Sequence, residues 1–442
     1  MYEYLSRRSV GHDSSNVTYH SGTCQDFLDR HEADAKLALT GGVRGAREIA
    51  PTLFRRIADS RTLRLAWDYL ATKGGPAPGP DQRRYKDYTS PEIWEWCRCL
   101  ASAIREGTYR SGEERVRWVE KASRRGSRPI TVLSIADRVV QRAIFQILQP
   151  VLDPLFSAHS LGYRPSLGTW HALSVAEHIT QTERRGVWVI EDVRDAFQNV
   201  PLSRLLQVVS KLLPADDLLS LLANVLPSTQ LPGLRQGGSV SGLLLNVYLN
   251  HFLDRPWSEE GNPPMIRVAD DLLVLCRSES QAMKARSELL RLLVPAALPL
   301  KASDSSIRNL SAGQSADWLG FAITKSKRGL IYRVADRGWT RLDDLFRLAH
   351  SQPDAPIHAF RCVIRPWLRH RAPCYSADVR ELVCSRLLDT ARTHGFEELP
   401  GLPELLGFWA EAADRWTELR RRTRQTYRRS GSPIERLAAP IA

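Results

Sequence analysis

The sequence predicts an α+β protein in which a few buried strands are embedded among helices, and three observations carry that expectation. Met265–Cys276 reads as two short apolar strands, Ile266–Val268 and Leu272–Leu275, with Asp270 and Asp271 between them. Val187–Val193 is a second apolar, β-branched run of strand length, and its end delivers Asp192. Most of the remaining chain carries apolar residues at helical rather than strand spacing.

The bulk properties narrow the function. A chain of 442 residues with 43% hydrophobic residues can bury a real core, and about three domains are expected at that length. No apolar run approaches the roughly 20 residues of a membrane span, and Met1–Arg8 lacks an apolar signal core, so a cytoplasmic location and no membrane partner are expected. The formal net charge of +13 favours a polyanionic partner, nucleic acid before membrane. Seven cysteines are scattered with only Cys97 and Cys99 close together, which indicates neither a disulfide framework nor a zinc site.

Taken in order, residues 1–48 are polar and glycine-punctuated, and read as a loosely packed arm. Helical spacing begins near Ala50 and runs through Leu70, and Gly74–Asp81 is too rich in Gly and Pro to be other than a shaped loop. Pro91–Glu106 is a helix, and the alternation in Val116–Glu120 and Pro129–Leu133 predicts a basic two-stranded flap able to grip phosphates. Asp137–Leu148 is an amphipathic helix expected to close at Pro150. Helices follow over Leu202–Leu213 and Leu218–Leu226, and the turn Gln236–Ser241 feeds another over Gly242–Leu253. Ser280–Val294 is helical, Trp318–Val334 forms a hairpin, and the rest is helical in four pieces from about 340 to 429. The last piece holds seven arginines between Arg415 and Arg429 against the single acid Glu418, and is expected to contact RNA phosphates.

Two adjacent acids at a rigid hairpin tip suit hard divalent cations, which take oxygen ligands. A pair of such cations clamps the attacking and leaving oxygens of a phosphoryl transfer. The chain's other acid pairs have plainer explanations: Asp216–Asp217 suits the first turn of a helix and Asp343–Asp344 a helix face. Only Asp270–Asp271 is bracketed by strands.

In this order the pieces resemble a bacterial, group II intron-like reverse transcriptase. The likeness runs from about Gly74 to Trp367. It is carried by Gly79-Pro-Asp81, by Gly107–Lys121 with Arg128-Pro-Ile130, by Asp137–Ala143 and by Ser160–Pro165. Asp192-Val-Arg-Asp-Ala-Phe197, Gln236–Ser241, Val268-Ala-Asp-Asp271 and Trp318–Phe321 follow. The resemblance implies a right-hand polymerase: fingers over 49–186, a palm with an antiparallel sheet over 187–335 and interleaved fingers, and a helical thumb with a basic terminal helix over 336–442.

It also implies RNA-directed DNA polymerase activity with two Mg²⁺ ions. Asp192 and Asp270 would bridge the ions, Asp271 would be the third carboxylate and the Val193 carbonyl would assist. Arg128 would meet the triphosphate, Phe197 would exclude a ribose 2′-hydroxyl, and Gln236 and Gly237 would line nucleotide and template. The implied partners are dNTPs, a DNA product or primer, and an RNA template or structured non-coding RNA; oligomerisation is left open.

Three positions depart from the family pattern. Val268 stands where a Tyr is usual, Arg235 and Gly242 stand where prolines are usual, and Lys301 is not in register with the family's lysine. The altered second motif is expected to form a looser, more basic turn. No Cys/His-rich nuclease segment follows the thumb, so the chain looks most like the stand-alone, defence-associated members. An RNA-binding maturase, or a terminal or protein-primed polymerase with little use of template, is the alternative.

Overall fold

The computed structural model describes residues 22–74, 78–120, 127–228, 230–301, 306–327, 329–350, 354–374 and 379–430. In chain order, helices α1 (Gly22–Ala38), α2 (Val43–Ile57), α3 (Ser60–Lys73) and α4 (Ser90–Arg105) precede the hairpin strands β1 (Glu114–Glu120) and β2 (Ser127–Leu133). Helices α5 (Ile135–Leu152) and α6 (Thr169–Thr182) lead to β3 (Val187–Asp192). Helices α7 (Leu202–Leu212), α8 (Asp216–Val225) and α9 (Ser241–Leu249) lead to β4 (Met265–Val268) and β5 (Asp271–Cys276). After α10 (Glu279–Leu293) come β6 (Ile307–Asn309), β7 (Ala316–Trp318), β8 (Phe321–Ser326) and β9 (Gly329–Val334). The C-terminal region includes helices α11 (Asp336–Ala349), α12 (Arg365–His370), α13 (Arg380–Thr393) and α14 (Leu402–Ser430).

The chain forms two compact units. The first holds residues 1–117, 129–156 and 195–251, and the second holds 118–128, 157–194 and 252–442.

The first unit is mostly helical, and its helix starts follow from local chemistry. Thr89 and Glu92 close a capping box on α4, with Thr89 N donating to Glu92 Oε2 at 2.7 Å. Ser134 Oγ accepts from Asp137 N at 3.1 Å at the start of α5. Asp216 and Asp217 occupy the first turn of α8, as the sequence implied. Two expectations fail here. From Gly22 the supposed arm is helical: α1 buries Cys24 and Ala35, and His31 Nε2 lies 2.8 Å from the carbonyl of Ile147 on α5. Its polar composition concealed a narrow buried face. Helix α5 also runs through Pro150 to Leu152 instead of stopping there. Residues 1–21 and the middle of the expected turn at 121–126 lie outside the described residues.

The second unit is built on a four-stranded sheet of order β4–β5–β3–β6, with every pairing antiparallel. Burial alternates at the end of β3, with Glu191 buried and Asp192 half-buried. Glu191 turns toward α10, where Arg286 Nε donates to it at 2.6 Å, so Asp192 is left on the opposite face. Helix α6, the sheet, the three-stranded β7–β8–β9 sheet and α14 share one core that contains Leu173, Trp188, Leu273, Trp318, Phe321 and Trp416. Trp188 and Trp318 meet edge to face with centroids 6.4 Å apart. A second core joins the C-terminal helices through Leu342, Phe346, Ile364, Trp367 and Leu387. None of the seven cysteines forms a disulfide with another described residue, and five of them are buried. No helix among the described residues is long and apolar enough to cross a membrane.

Candidate active site

The three carboxylates come together in the second unit by strand register. In the β3–β5 ladder Asp192 is the direct partner of Asp271, so both side chains stand on the same face of the sheet. Val268 pairs with Asp271, which leaves Ala269 and Asp270 as a two-residue turn. Ala269 takes a left-handed φ of 60°, a conformation that costs a non-glycine residue about 1 kcal/mol or more.

Several groups hold that turn. The Arg267 guanidinium, 1% exposed, donates through Nη1 to the Ala269 carbonyl at 3.0 Å. Its remaining donors reach Asp254, with Nε to Oδ1 at 2.9 Å, and Ser160 Oγ at 2.7 Å. Behind the turn Leu161 N donates to the Arg267 carbonyl at 2.8 Å, and Arg267 N to the carbonyl of His159 at 2.9 Å. Gly162 lies so close that a Cβ there would stand 2.2 Å from Ala269 N. This explains why Ser160-Leu-Gly-Tyr163 must carry glycine at its third position.

The β3 end is fixed in the same way. Val193 N donates to the Asp270 carbonyl at 3.1 Å, Val193 bridges to Leu300, and Lys301 N donates to the Asp192 carbonyl at 2.8 Å. Lys301 Nζ stands 3.9 Å from Asp192 Oδ2, beside a carboxylate it had not been assigned to. Residues 302–305 of that segment lie outside the described residues.

The electrostatics follow from this crowding. Burial and then Asp192 raise the Asp270 carboxyl, against the pull of Lys301 and Arg267. Burial, then Asp270 and Asp192, push Asp271 up to about 7, opposed by Arg337 and Lys301. Tyr163 is 49% exposed and left-handed at φ 54°. Its hydroxyl is raised by burial, then by Asp270, and is lowered by Arg128. Arg128 itself is exposed on β2, so the structure sets it and the carboxylates around one aromatic residue. Among the described residues no group of three or more His, Cys, Asp or Glu side chains is gathered so as to hold a metal ion.

The other expected site residues lie together in the first unit. The Phe197 carbonyl accepts from Leu234 N at 2.7 Å, and a Cβ on Gly233 would stand 2.3 Å from that carbonyl oxygen. The Gln236 carbonyl accepts from Thr131 N at 2.9 Å. Gly237, at φ 105°, has no room for strain-free substitution, because a Cβ would lie 3.2 Å from the Thr131 carbonyl. Phe197 and Gln236 are half-buried.

Arg235 corrects the sequence reading. Its turn is neither loose nor a source of free positive charge. The buried guanidinium pairs with Glu114 on β1, Nε to Oε2 at 2.6 Å, and caps α8 through the carbonyls of Val225 at 2.6 Å and Leu226 at 2.9 Å, as well as that of Pro227. A planar guanidinium with donors along its edge supplies all four bonds at once.

Sequence reasoning missed Tyr163, Arg267 and Asp254. Arg267 did carry a signal, as a lone charge in an otherwise apolar strand. Tyr163 lay inside the Ser160–Pro165 segment without being singled out from it.

The family profile "Reverse transcriptase (RNA-dependent DNA polymerase)" matches residues 119–323, which contain every candidate site residue named above. Protein YkfC of Escherichia coli K12 is 28% identical over 195 residues, covering 41% of this chain and 51% of that protein. The group II intron-encoded protein LtrA of Lactococcus lactis subsp. cremoris is 26% identical over 166 residues, covering 35% of this chain and 27% of LtrA. The chain thus spans about half the length of the first relative and about a quarter of the second. Apo telomerase from Candida tropicalis superposes loosely, with a TM-score of 0.41 and 13% identity over 79% of this chain and 68% of that one. Residues 119–323 therefore constitute a reverse transcriptase domain, related in sequence to group II intron-encoded proteins.

Proposed function

We propose that the chain is an RNA-directed DNA polymerase that extends a primer 3′-hydroxyl with deoxynucleotides by two-metal phosphoryl transfer. The observation that carries this reading is the register of Asp192 opposite Asp271, with Asp270 in the adjoining turn. The donor chemistry suits magnesium. It offers only oxygen, its carboxylates repel one another until a cation is present, and an open set suits an ion that keeps waters and takes substrate phosphates. Asp192, Asp270, Asp271 and the Val193 carbonyl would hold two such ions. When bound, they neutralise charge on the attacking and leaving oxygens.

The protein's own groups complete the chemistry. Arg128 presents a guanidinium fork to the triphosphate, and Lys301 steadies Asp192. The Phe197 ring crowds a ribose 2′-hydroxyl, and Gln236 with Gly237 lets nucleotide and template approach the backbone. Extension of a primed RNA by the purified full chain with dNTPs and Mg²⁺ tests the reading. Template-directed incorporation is expected. Addition without regard to template would favour a terminal or protein-primed polymerase, and RNA binding without any incorporation would favour a maturase.

We further propose a dedicated structured RNA as template or scaffold, in a stand-alone bacterial enzyme of anti-phage defence working in the cytoplasm. The support is the net charge of +13. Sequencing RNA that copurifies with the native protein tests this. One abundant species encoded beside the gene is expected, and a random sample of cellular RNA overturns it.

A further inference from the structure

The turn from Arg235 to Ser241 is held unevenly. At its entry the buried Arg235 guanidinium makes four bonds, to Glu114 and to the carbonyls of Val225, Leu226 and Pro227. Its middle rests on backbone bonds: the Gln236 carbonyl accepts from Thr131 N at 2.9 Å, and Ser241 N donates to the Gly238 carbonyl at 3.2 Å. At its exit Val240, the N-cap of α9, gives that helix no side-chain cap.

Two buried polar side chains stand against the middle of this turn. Gln141 on α5 is 2% exposed and Thr131 on β2 is 4% exposed. Gln141 Oε1 and Thr131 Oγ1 are both without a hydrogen-bond partner among the described residues. The Gln141 carboxamide faces Gly238, where a Cβ would lie 2.5 Å from Oε1 and 2.7 Å from Ser241 Oγ. Glycine thus keeps open the space between an acceptor that lacks a donor and a buried hydroxyl able to supply one.

A buried carbonyl oxygen with no partner is unfavourable, and native proteins keep few of them. This one lies behind a glycine pair expected to face nucleotide, in a turn anchored chiefly at its entry. That combination points to a second arrangement of the turn in which the oxygen is satisfied.

We propose that Gln141 is a positioning residue for nucleotide addition: when a dNTP seats against Gln236 and Gly237, the turn closes and the Ser241 hydroxyl donates to Gln141 Oε1. A bond made only in the closed arrangement favours that arrangement, and so favours the nucleotide that requires it. Gln141 does not touch the nucleotide and acts through Gly238 and Ser241. The inference rests on the polymerase reading for its ligand, and deepens it by naming what selects the closed turn.

The test pairs Gln141→Met, which keeps the length of the side chain and removes the oxygen, with Ser241→Ala, which removes the donor. In the full chain without ligand, Gln141→Met should raise the thermal midpoint by about 2 °C, because an unsatisfied buried group is gone. On a primed RNA with Mg²⁺ it should raise the KM for dNTP about five-fold and leave the KM for primer–template unchanged. Ser241→Ala should raise the KM for dNTP by the same factor, and the double variant should be no worse than either single, since all three lack one and the same bond. Nucleotide binding is read apart from chemistry on a primer ended by a dideoxynucleotide, as the rise in thermal midpoint on adding dNTP, and that rise should shrink in both variants. Lower stability of Gln141→Met with an unchanged KM would make Gln141 a core residue only and overturn the proposal, as would additive losses in the double variant. Should Gln141→Met fail to fold, an unchanged KM in Ser241→Ala overturns it equally. An active wild type whose variants match it ends this proposal alone, whereas a wild type that neither extends the primer nor responds to dNTP ends the polymerase reading and the proposal with it.

Discussion

Asp192 on β3 and Asp271 on β5 are direct cross-strand partners, two like charges on one face of the sheet at a spacing where opposite charges would be favoured. Asp270 crowds them from the turn, and the residue before it, Ala269, is left-handed. Repulsion and backbone strain are thus concentrated in a few residues, and the surroundings over-determine them: Arg267 from below, Gly162 from behind, Val193 from the side. That is the pattern of a site shaped for a charged ligand rather than for its own stability.

Replacing Asp270 by Asn removes one negative ligand while keeping the size of the side chain. Nucleotide incorporation should fall by at least about a hundred-fold, roughly 3 kcal/mol of transition-state stabilisation, while the thermal transition stays in place. Steady-state primer extension measures it. Near-normal extension would remove Asp270 from the reaction.

The Asp271→Asn variant should be more stable than the parent in metal-free buffer, and the gain should depend on pH. Asp271 titrates near 7 in the folded chain against about 3.9 when unfolded. The folded state therefore holds a proton that the unfolded state has already released, and the wild type loses stability as pH rises from about 4 to about 7. Above pH 7 the variant should gain about 1–2 kcal/mol, less than the full shift implies because the group is only half-buried. At pH 4 the two should coincide. Thermal denaturation in a chelating buffer at both pH values decides it, and an equal difference at both would show that ionisation of this buried, crowded carboxyl is not the cause.

Phe197→Ala should admit ribonucleotides. The ring is half-buried and its backbone is anchored by Leu234, so truncation removes bulk without freeing the segment. The ratio of kcat/KM for deoxynucleotide over ribonucleotide should fall at least about ten-fold, since a methylene-scale steric contact is worth about 1–3 kcal/mol. An unchanged ratio would place the sugar discrimination elsewhere.

Much of this was legible because the signal was local. Apolar strands bracketing Asp270–Asp271, and a strand delivering Asp192, announced the site from runs of twelve and seven residues. What stayed hidden were partnerships across the chain. Arg235 read as loose positive charge because its acid, Glu114, precedes it by 121 residues. Arg420 on α14 read as free charge because its acid, Glu177, lies 243 residues away on another helix. Helix α1 escaped notice because only a narrow face of a polar segment is buried. Local pattern reports which residues face inward, and it does not report what a charge meets there.

Arg267 supplies the last prediction, because it joins a buried ion pair to the turn that carries Asp270. Lysine would keep the charge and lose the fork that reaches Asp254, Ser160 and Ala269 together. Arg267→Met would strand Asp254, itself buried, and should cost about 3–5 kcal/mol of stability. Arg267→Lys should fold and should lower kcat by about ten-fold while leaving the KM for template alone, because only the placement of Asp270 changes. Raising Mg²⁺ should recover part of that loss, whereas a general loss of folded protein would lower the active fraction at every Mg²⁺ concentration. If Arg267→Lys retains full kcat, the guanidinium serves the fold alone and the turn is held by Gly162 and Val193.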